Sequence, residues 1–446
     1  MKHPKRPMRL TLLPFLATAL FSVSALAAIS IPSDGSDGAF EPVADVVVDL
    51  SLASSAAWQT PGDGHGVYDP AQWAVVFKYA SVNIPAGVTV TFVNHPSRAP
   101  VIWLVQGEVV IGGTVVLDGA PGHAGNSLRT FAEPGPGGFR GGRGSDAQTR
   151  GAGGMGPGGS FYGDNDNHAS SGAGYGSPGM LAGTEWSGQT PGAAGGVYGN
   201  AGVFPLIGGS GAAGSANGST GRGGGAGGGA ILIATPATIL LDGEVRANGG
   251  PGIMGGSGGG GGNRASGGGS GGGIRLIADT VSGNGTLRAL GGAGGGGAVS
   301  SLGGDGGNGR IRVEAFTNEL VDLGNPAFSL GVPEETPRIF RDPATPAIRS
   351  VSLDGQPVPD DPRSVLSFPN TDVTLPEAGL ATLVIEAENV PLDSEVIARV
   401  IRRTGKDSTY VAALTSGTFE SSLWTAEVDI SGGFSTVQVS ADFSGE

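Results

Sequence analysis

The sequence predicts an all-β chain: a parallel β-helix carrying polyglycine insertions, followed by an immunoglobulin-like β-sandwich. Three observations carry that expectation. Of 446 residues 87 are glycine, and 68 of these lie between residues 121 and 310. Short apolar strands with glycine at their corners recur on both sides of the glycine-rich stretch. Past residue 346 glycine falls to ordinary levels and the pattern turns to simple alternation. A mainly helical protein is excluded, since each helical glycine costs about 1 kcal/mol relative to alanine. Collagen is excluded because runs such as Gly151-Ala152-Gly153-Gly154-Met155 break the every-third-glycine rule. No cysteine is present, so there is no disulfide framework.

Residues 1–27 read as a secretory signal peptide. Lys2, Lys5, Arg6 and Arg9 form a basic start, Leu10 to Leu26 is mostly apolar, and Ala25-Leu26-Ala27 supplies a cleavage site. An uncleaved anchor is the competing reading, opposed by Pro14 and the small-residue tail. No later stretch approaches the ~18 apolar residues of a membrane helix. The expectation is therefore a secreted or cell-surface protein without a membrane span after signal removal. Loss of the signal leaves 21 basic against 39 acidic residues, and Lys78 and Lys406 are the remaining lysines. Such a surface repels phosphate backbones and anionic lipid, which argues against nucleic acid as a partner.

Within residues 28–332, Ser81 to Phe92, Val101 to Val105, Val109 to Ile111 and Val115 to Leu117 read as short strands. The pattern returns at 228–250 and 272–292, with a third copy from Gly309. Aligning the copies places Leu232 with Leu276, Val245 with Leu287 and Arg246 with Arg288. Repeats of about 40 residues that cannot bury their apolar face alone mark a solenoid. Three glycine-rich excursions, at about 120–228, 251–272 and 293–309, leave the repeats at matching points. They read either as disorder or as extended strands packed closely because side chains are missing. Shared launch points favour order for the two shorter ones; for 120–228 both readings stay open. Pro333 to Pro346 reads as a proline-rich linker, and six or seven strands in 347–446 suit the sandwich.

Ser33-Asp-Gly-Ser-Asp-Gly-Ala-Phe40, Asn83-Ile-Pro-Ala-Gly-Val-Thr-Val90 and the Gly-rich Ile-x-Leu-Ile-Ala units resemble a group of uncharacterised, glycine-rich secreted bacterial proteins. The repeats are similar to pectate-lyase-like right-handed β-helices, which implies a right-handed parallel β-helix. The insertions resemble the glycine-rich region of anaplastic lymphoma kinase, which bundles polyglycine strands against a β scaffold.

Candidate chemistry is sparse. Gly62-Asp-Gly-His-Gly66 contains the Gly-His-Gly triplet of polygalacturonases, and Arg310-Ile-Arg312 is similar to their Arg-Ile-Lys. If the chain were an enzyme, Asp63, His65 and Arg312 would be its catalytic candidates. The paired aspartates that such hydrolases use as acid and base are missing from the repeats; Asp360-Asp361 is the one adjacent pair. A lyase would call on arginines, and Arg246 with Arg288, and Arg275 with Arg312, form two ladders that solvent would ordinarily cover. Calcium is a possible cofactor at Asp164-Asn-Asp-Asn167, with Asp164 and Asp166 as ligands, or at Ser33-Asp-Gly-Ser-Asp-Gly38 or Gly303-Gly-Asp-Gly-Gly-Asn-Gly309, although turn chemistry explains these motifs without a metal. Zinc and phosphate-loop motifs are absent. The expectation is an exported, non-enzymatic structural or adhesive protein of the cell surface or extracellular matrix, with extracellular polysaccharide or other surface proteins as partners. The alternative is a carbohydrate-active β-helix enzyme, hydrolase or lyase. A flat ice-binding face lacks its regular Thr-x-Thr ladders.

Overall fold

The computed structural model describes residues 29–123, 130–146, 150–164, 167–183, 190–217, 221–254, 264–296, 302–342, 344–360, 371–431 and 433–442. The leader expected at 1–27, Asp166 and Asp361 lie outside them. The fold is all-β, and its only helical turn among the described residues is Leu50–Leu52.

Curled parallel sheets form the first half. Strands of the sequence repeat fall into three rows, in which strands distant in the chain become neighbours. The first row sets Ala74–Tyr79, Val101–Val105, Ala230–Ala234, Gly273–Gly283 and Arg310–Leu320 side by side. The second pairs Ser81–Ile84, Val109–Ile111, Thr238–Leu241 and the second half of Gly273–Gly283. The third runs Val46–Asp49, Thr89–Val93, Thr114–Val116, Glu244–Arg246 and Thr286–Arg288.

Register follows burial, because slipping one residue would turn every apolar side chain outward. Phe77, Trp103, Ile233, Leu276 and Val313 are successive partners, all almost fully buried. Val90, Val115, Val245 and Leu287 do the same in the third row. Val245 with Leu287 and Arg246 with Arg288 agree with the sequence alignment. Leu232 does not pair with Leu276: its partner is Arg275, and Ile233 takes Leu276. The textual match of Ile-Leu-Ile-Ala to Arg-Leu-Ile-Ala misled by one position, and inward burial decides the true register.

The glycine-rich segments are bonded strand to strand, with a period of three. Along 266–272, the N–H groups of Ser266, Gly269 and Gly272 donate to Ile253, Gly250 and Ala247. Those of Gly268 and Gly271 donate to Gly304 and Gly307. Likewise Gly303, Gly306 and Gly309 donate to Gly295, Gly292 and Ala289, and Gly221, Gly224 and Gly227 to Ser145, Gly142 and Phe139. One neighbour addressed every third residue is the signature of polyproline II-type strands, which have three residues per turn and no internal bonds. The described parts of both shorter excursions share this network, and so do those of 120–228, where Tyr175 and Tyr198 stack at 4.4 Å. The launch points are sealed by side chains: Asp118 accepts from the Asn248 N–H at 2.7 Å, and Asn248 from the Leu290 N–H at 2.9 Å.

Glycine is required here for close approach. A Cβ on Gly269 would stand 2.0 Å from the Ala226 carbonyl oxygen, and one on Gly227 1.8 Å from that of Gly209.

Residues 333–342 do not span free space as a linker. Ile339 is buried and packs with Phe340 and Trp58 on Ile102, Leu104, Leu232 and Ile277, the outer face of the first row. Arg275 donates to the Arg338 carbonyl at 2.7 Å and fastens this strap. The C-terminal unit comprises two antiparallel sheets, of five strands (Ala347–Leu353, Gln356–Pro357, Leu380–Glu388, Ala413–Gly417, Ser422–Asp429) and three (Glu395–Arg402, Ser408–Val411, Ser435–Asp442). They share a core of Leu383, Ile385, Val396, Val400, Trp424 and Val428.

Gly269→Ala is expected to destabilise the protein by about 3 kcal/mol or more, because backbone rather than a flexible side chain must move. Gly196→Ala, where a Cβ would meet nothing within 4 Å, should stay within about 0.5 kcal/mol of wild type. Thermal unfolding of the two variants checks the contrast.

Candidate functional site

The charged residues of the first half are mostly consumed by structure. Asp37 is buried, and its carboxylate accepts from the backbone N–H groups of Gly64 at 2.9 Å, Gly66 at 3.2 Å and Lys78 at 2.6 Å. The Gly62–Gly66 loop therefore wraps Asp37, whose carboxylate, in a stretch considered for calcium, is taken up by backbone N–H groups. Asp63 and His65 are exposed, and the Asp63 carboxylate accepts the His65 N–H at 3.3 Å in an ordinary turn. Lys78 is 2% exposed, and its Nζ donates to Asp34 and to the carbonyls of Gln59 and Thr60. A single lysine inside the apolar run Val75-Val76-Phe77-Lys78-Tyr79 was the available signal for this buried clamp.

Arg312 lies elsewhere. Five inter-strand steps of the first row separate its strand from Val67–Asp69, which follows His65; at ~4.8 Å per step that is about 24 Å. The three catalytic candidates thus form no common site. Arg312 bonds to Glu314 at 3.2 Å and to the Leu330 carbonyl at 2.7 Å. Its ladder partner Arg275 is buried, not solvated, and holds Glu314 at 3.0 Å beneath the strap. The other ladder is half-exposed and self-neutralised, with Arg246 on Asp118 at 2.9 Å and Arg288 on Glu244 at 2.8 Å. Burial raises the Asp118 carboxyl above its usual range. Asp164 pairs with Lys406. Among the described residues no group of three or more His, Cys, Asp or Glu side chains could hold a metal.

The cleft with binding geometry lies between the two halves of the molecule. Its volume is about 1410 Å³. One side is floored by Trp73, Phe139, Phe204, Leu206 and Phe340, from the first row, the rim of the glycine bundle and the strap. The other side is the C-terminal unit, including the consecutive residues Phe434 to Ser440. Aromatic rings on the floor are half-buried, and Trp73 is oriented by its indole N–H on the Ser97 carbonyl at 3.0 Å. The cleft's arginines are each tied to a carboxylate: Arg341 to Glu388 at 3.3 Å, Arg349 to Glu386 at 2.7 Å, Arg399 to Asp407 at 3.1 Å. Carboxylates of Asp360, Asp372, Glu377, Glu386 and Glu388 also lie along the lining, three of them paired with arginines; apolar and aromatic walls with a few polar groups describe a site that binds.

The cleft is held by a buried polar pin. Arg399 stacks 3.9 Å above the centre of the Phe161 ring and donates to the carbonyls of Gly159 at 2.8 Å and Ser160 at 3.0 Å. Asp407, whose carboxyl burial pushes upward in pKa, accepts from Arg399 and from the Gly153 N–H. Arg143 donates to the Arg403 carbonyl at 2.8 Å and Gly405 to that of Gly151 at 2.8 Å. The C-terminal unit is thus gripped through backbone carbonyls on both sides of the contact, those of Gly151, Gly159 and Ser160 on one and that of Arg403 on the other. Arg399 and Asp407 are eight residues apart across a hairpin, a spacing with no motif value, so sequence reading could not find them.

No family model, no curated protein and no solved structure matches the chain.

Arg399→Met removes one partner of the buried pair and leaves Asp407 without its counter-charge, at an expected cost of about 3–5 kcal/mol. Limited proteolysis should then release the C-terminal unit at a protease concentration that leaves the wild-type chain whole. Equal cutting of both proteins would show that the pin does not hold the cleft.

Proposed function

We propose that the chain is an exported, non-enzymatic structural or adhesive protein of the cell surface or extracellular matrix. On this reading its first half is a right-handed β-helix stiffened by polyglycine insertions, and its last hundred residues are an immunoglobulin-like module. The three strand rows, repeated with in-register apolar stacks, support the first assignment. Two antiparallel sheets around one core support the second. The N-terminal basic–apolar–small pattern supports export.

One observation carries the functional part. The cleft between the two halves is walled mainly by apolar and aromatic side chains and its arginines are engaged, whereas Asp63 and His65 share an exposed turn and Arg312 lies on a distant strand, held by Glu314. A glycosidase needs two carboxyl groups ~5–9.5 Å apart, one of them free to move a proton. A binding scaffold needs a rigid, mostly apolar recess. The recess fits the second requirement.

Two measurements test the reading. N-terminal sequencing of the exported protein is expected to begin at Ala28. Incubation with a panel of neutral and acidic polysaccharides is expected to yield no new chain ends, with wild type indistinguishable from the D63A, H65A and R312A variants. Turnover that any of these substitutions abolishes would replace this reading with the carbohydrate-active enzyme.

A further inference from the structure

The three-stranded sheet of the C-terminal unit ends inside the cleft. Its order places Ser435–Asp442 at an edge, paired on one side only, with Glu395–Arg402. The phase of that pairing is fixed by the Arg403 N–H donating to the Phe434 carbonyl. In an antiparallel pair the bonded residues alternate, so Phe434, Thr436, Gln438 and Ser440 spend their backbone groups on the neighbour. The N–H and C=O groups of Ser435, Val437, Val439 and Ala441 face the other way, and among the described residues no strand pairs with them. Residues 433–440 line the cleft continuously. The Ser435 hydroxyl oxygen is buried and has no hydrogen-bond partner among the described residues.

An open strand edge is a template for another chain, and natural proteins usually blunt it with lysine, proline or a covering element. This edge, Ser-Thr-Val-Gln-Val-Ser-Ala-Asp, carries neither lysine nor proline. Its position within a recess shields it from indiscriminate pairing. The opposite wall, with Phe204, Leu206 and Phe340, offers apolar surface to side chains projecting from an added strand. Carboxylates of Asp360, Glu377, Glu386 and Glu388 outnumber the arginines along the same lining.

We propose that the cleft captures an extended segment of a partner polypeptide, which adds as a new strand to Ser435–Asp442. The partner segment is apolar at alternate positions and basic at its ends. Backbone hydrogen bonds supply the affinity and the apolar wall supplies the selectivity, the division of labour general to strand addition. This deepens the adhesive reading and rests on it: the adhesion partner is a protein segment, not a glycan.

The test uses the full exported chain and a synthetic decapeptide of alternating valine and threonine with a lysine at each end. Fluorescence anisotropy is expected to show saturable binding that cellopentaose does not compete. Methylating one alternate set of the peptide's backbone nitrogens should weaken binding at least tenfold, while methylating the other set leaves it unchanged. Val437→Pro, which removes an outward N–H and no ladder bond, should also weaken binding tenfold; proline is tolerated at such edge positions. Absence of binding, equal effects of the two methylation sets, or displacement by cellopentaose would each overturn the proposal. Silence in both this assay and the polysaccharide panel would remove the strand-addition proposal and leave the structural reading standing. Polysaccharide turnover would remove both.

Discussion

Close contact between backbones that carry no side chains is the constraint on which the rest depends. Fixing a residue costs about 1–2 kcal/mol in backbone entropy, and a net hydrogen bond returns about 0.5–1.5 kcal/mol. Hydrogen bonds alone therefore do not order a polyglycine strand. What tips the balance is density. Strands lacking Cβ atoms approach until carbonyls would lie about 2 Å from a methyl added at Gly227, Gly250, Gly269 or Gly306, and weak Cα–H···O and dispersion contacts then accumulate along each strand. The network is collective: Gly269 donates to Gly250 and accepts from Gly292, and Gly292 in turn accepts from Gly306.

The parallel sheets and the bundle stabilise one another. Insertions leave the sheets after the third-row strands, at points locked by Asp118 and Asn248, and re-enter on first-row strands. Each insertion thus begins and ends on a rigid frame, which limits its unfolded freedom and fixes its register with the next. The bundle then presents bare carbonyls at its rim, and Arg399 takes two of them. An acidic, lysine-poor chain uses its few cations as internal fasteners: Arg275 for the strap, Arg399 for the C-terminal unit, Lys78 for the first loops.

Much of this was legible in the sequence. Strand rows, launch points and the pairing of Val245 with Leu287 follow from glycine-flanked apolar triplets, and alternation marked the C-terminal strands. The one-residue error at Leu232 arose because Leu-Ile-Ala stands at 232–234 in one copy and at 276–278 in the next, one place out of the structural register, and text matching cannot weigh that identity against burial. The strap at 333–342 lies in the segment from Pro333 to Pro346, which read as a linker because its four prolines signal extension, and extension is also what a segment lying across a sheet requires. Functional residues were the least legible. Gly-His-Gly attracted notice through resemblance, whereas its physical role is to deliver N–H groups to Asp37. The cleft and the Arg399–Asp407 pin arise from segments more than two hundred residues apart, and no local pattern encodes such a meeting.

Amide hydrogen exchange along residues 266–273 tests the central claim most directly. Amides held in the network exchange only when the bundle opens, so Gly268 to Gly273 should be protected as strongly as Ile231 to Ile233 in the neighbouring sheet. Exchange of those glycines at the rate of a free peptide, with the sheet amides still protected, would contradict the account.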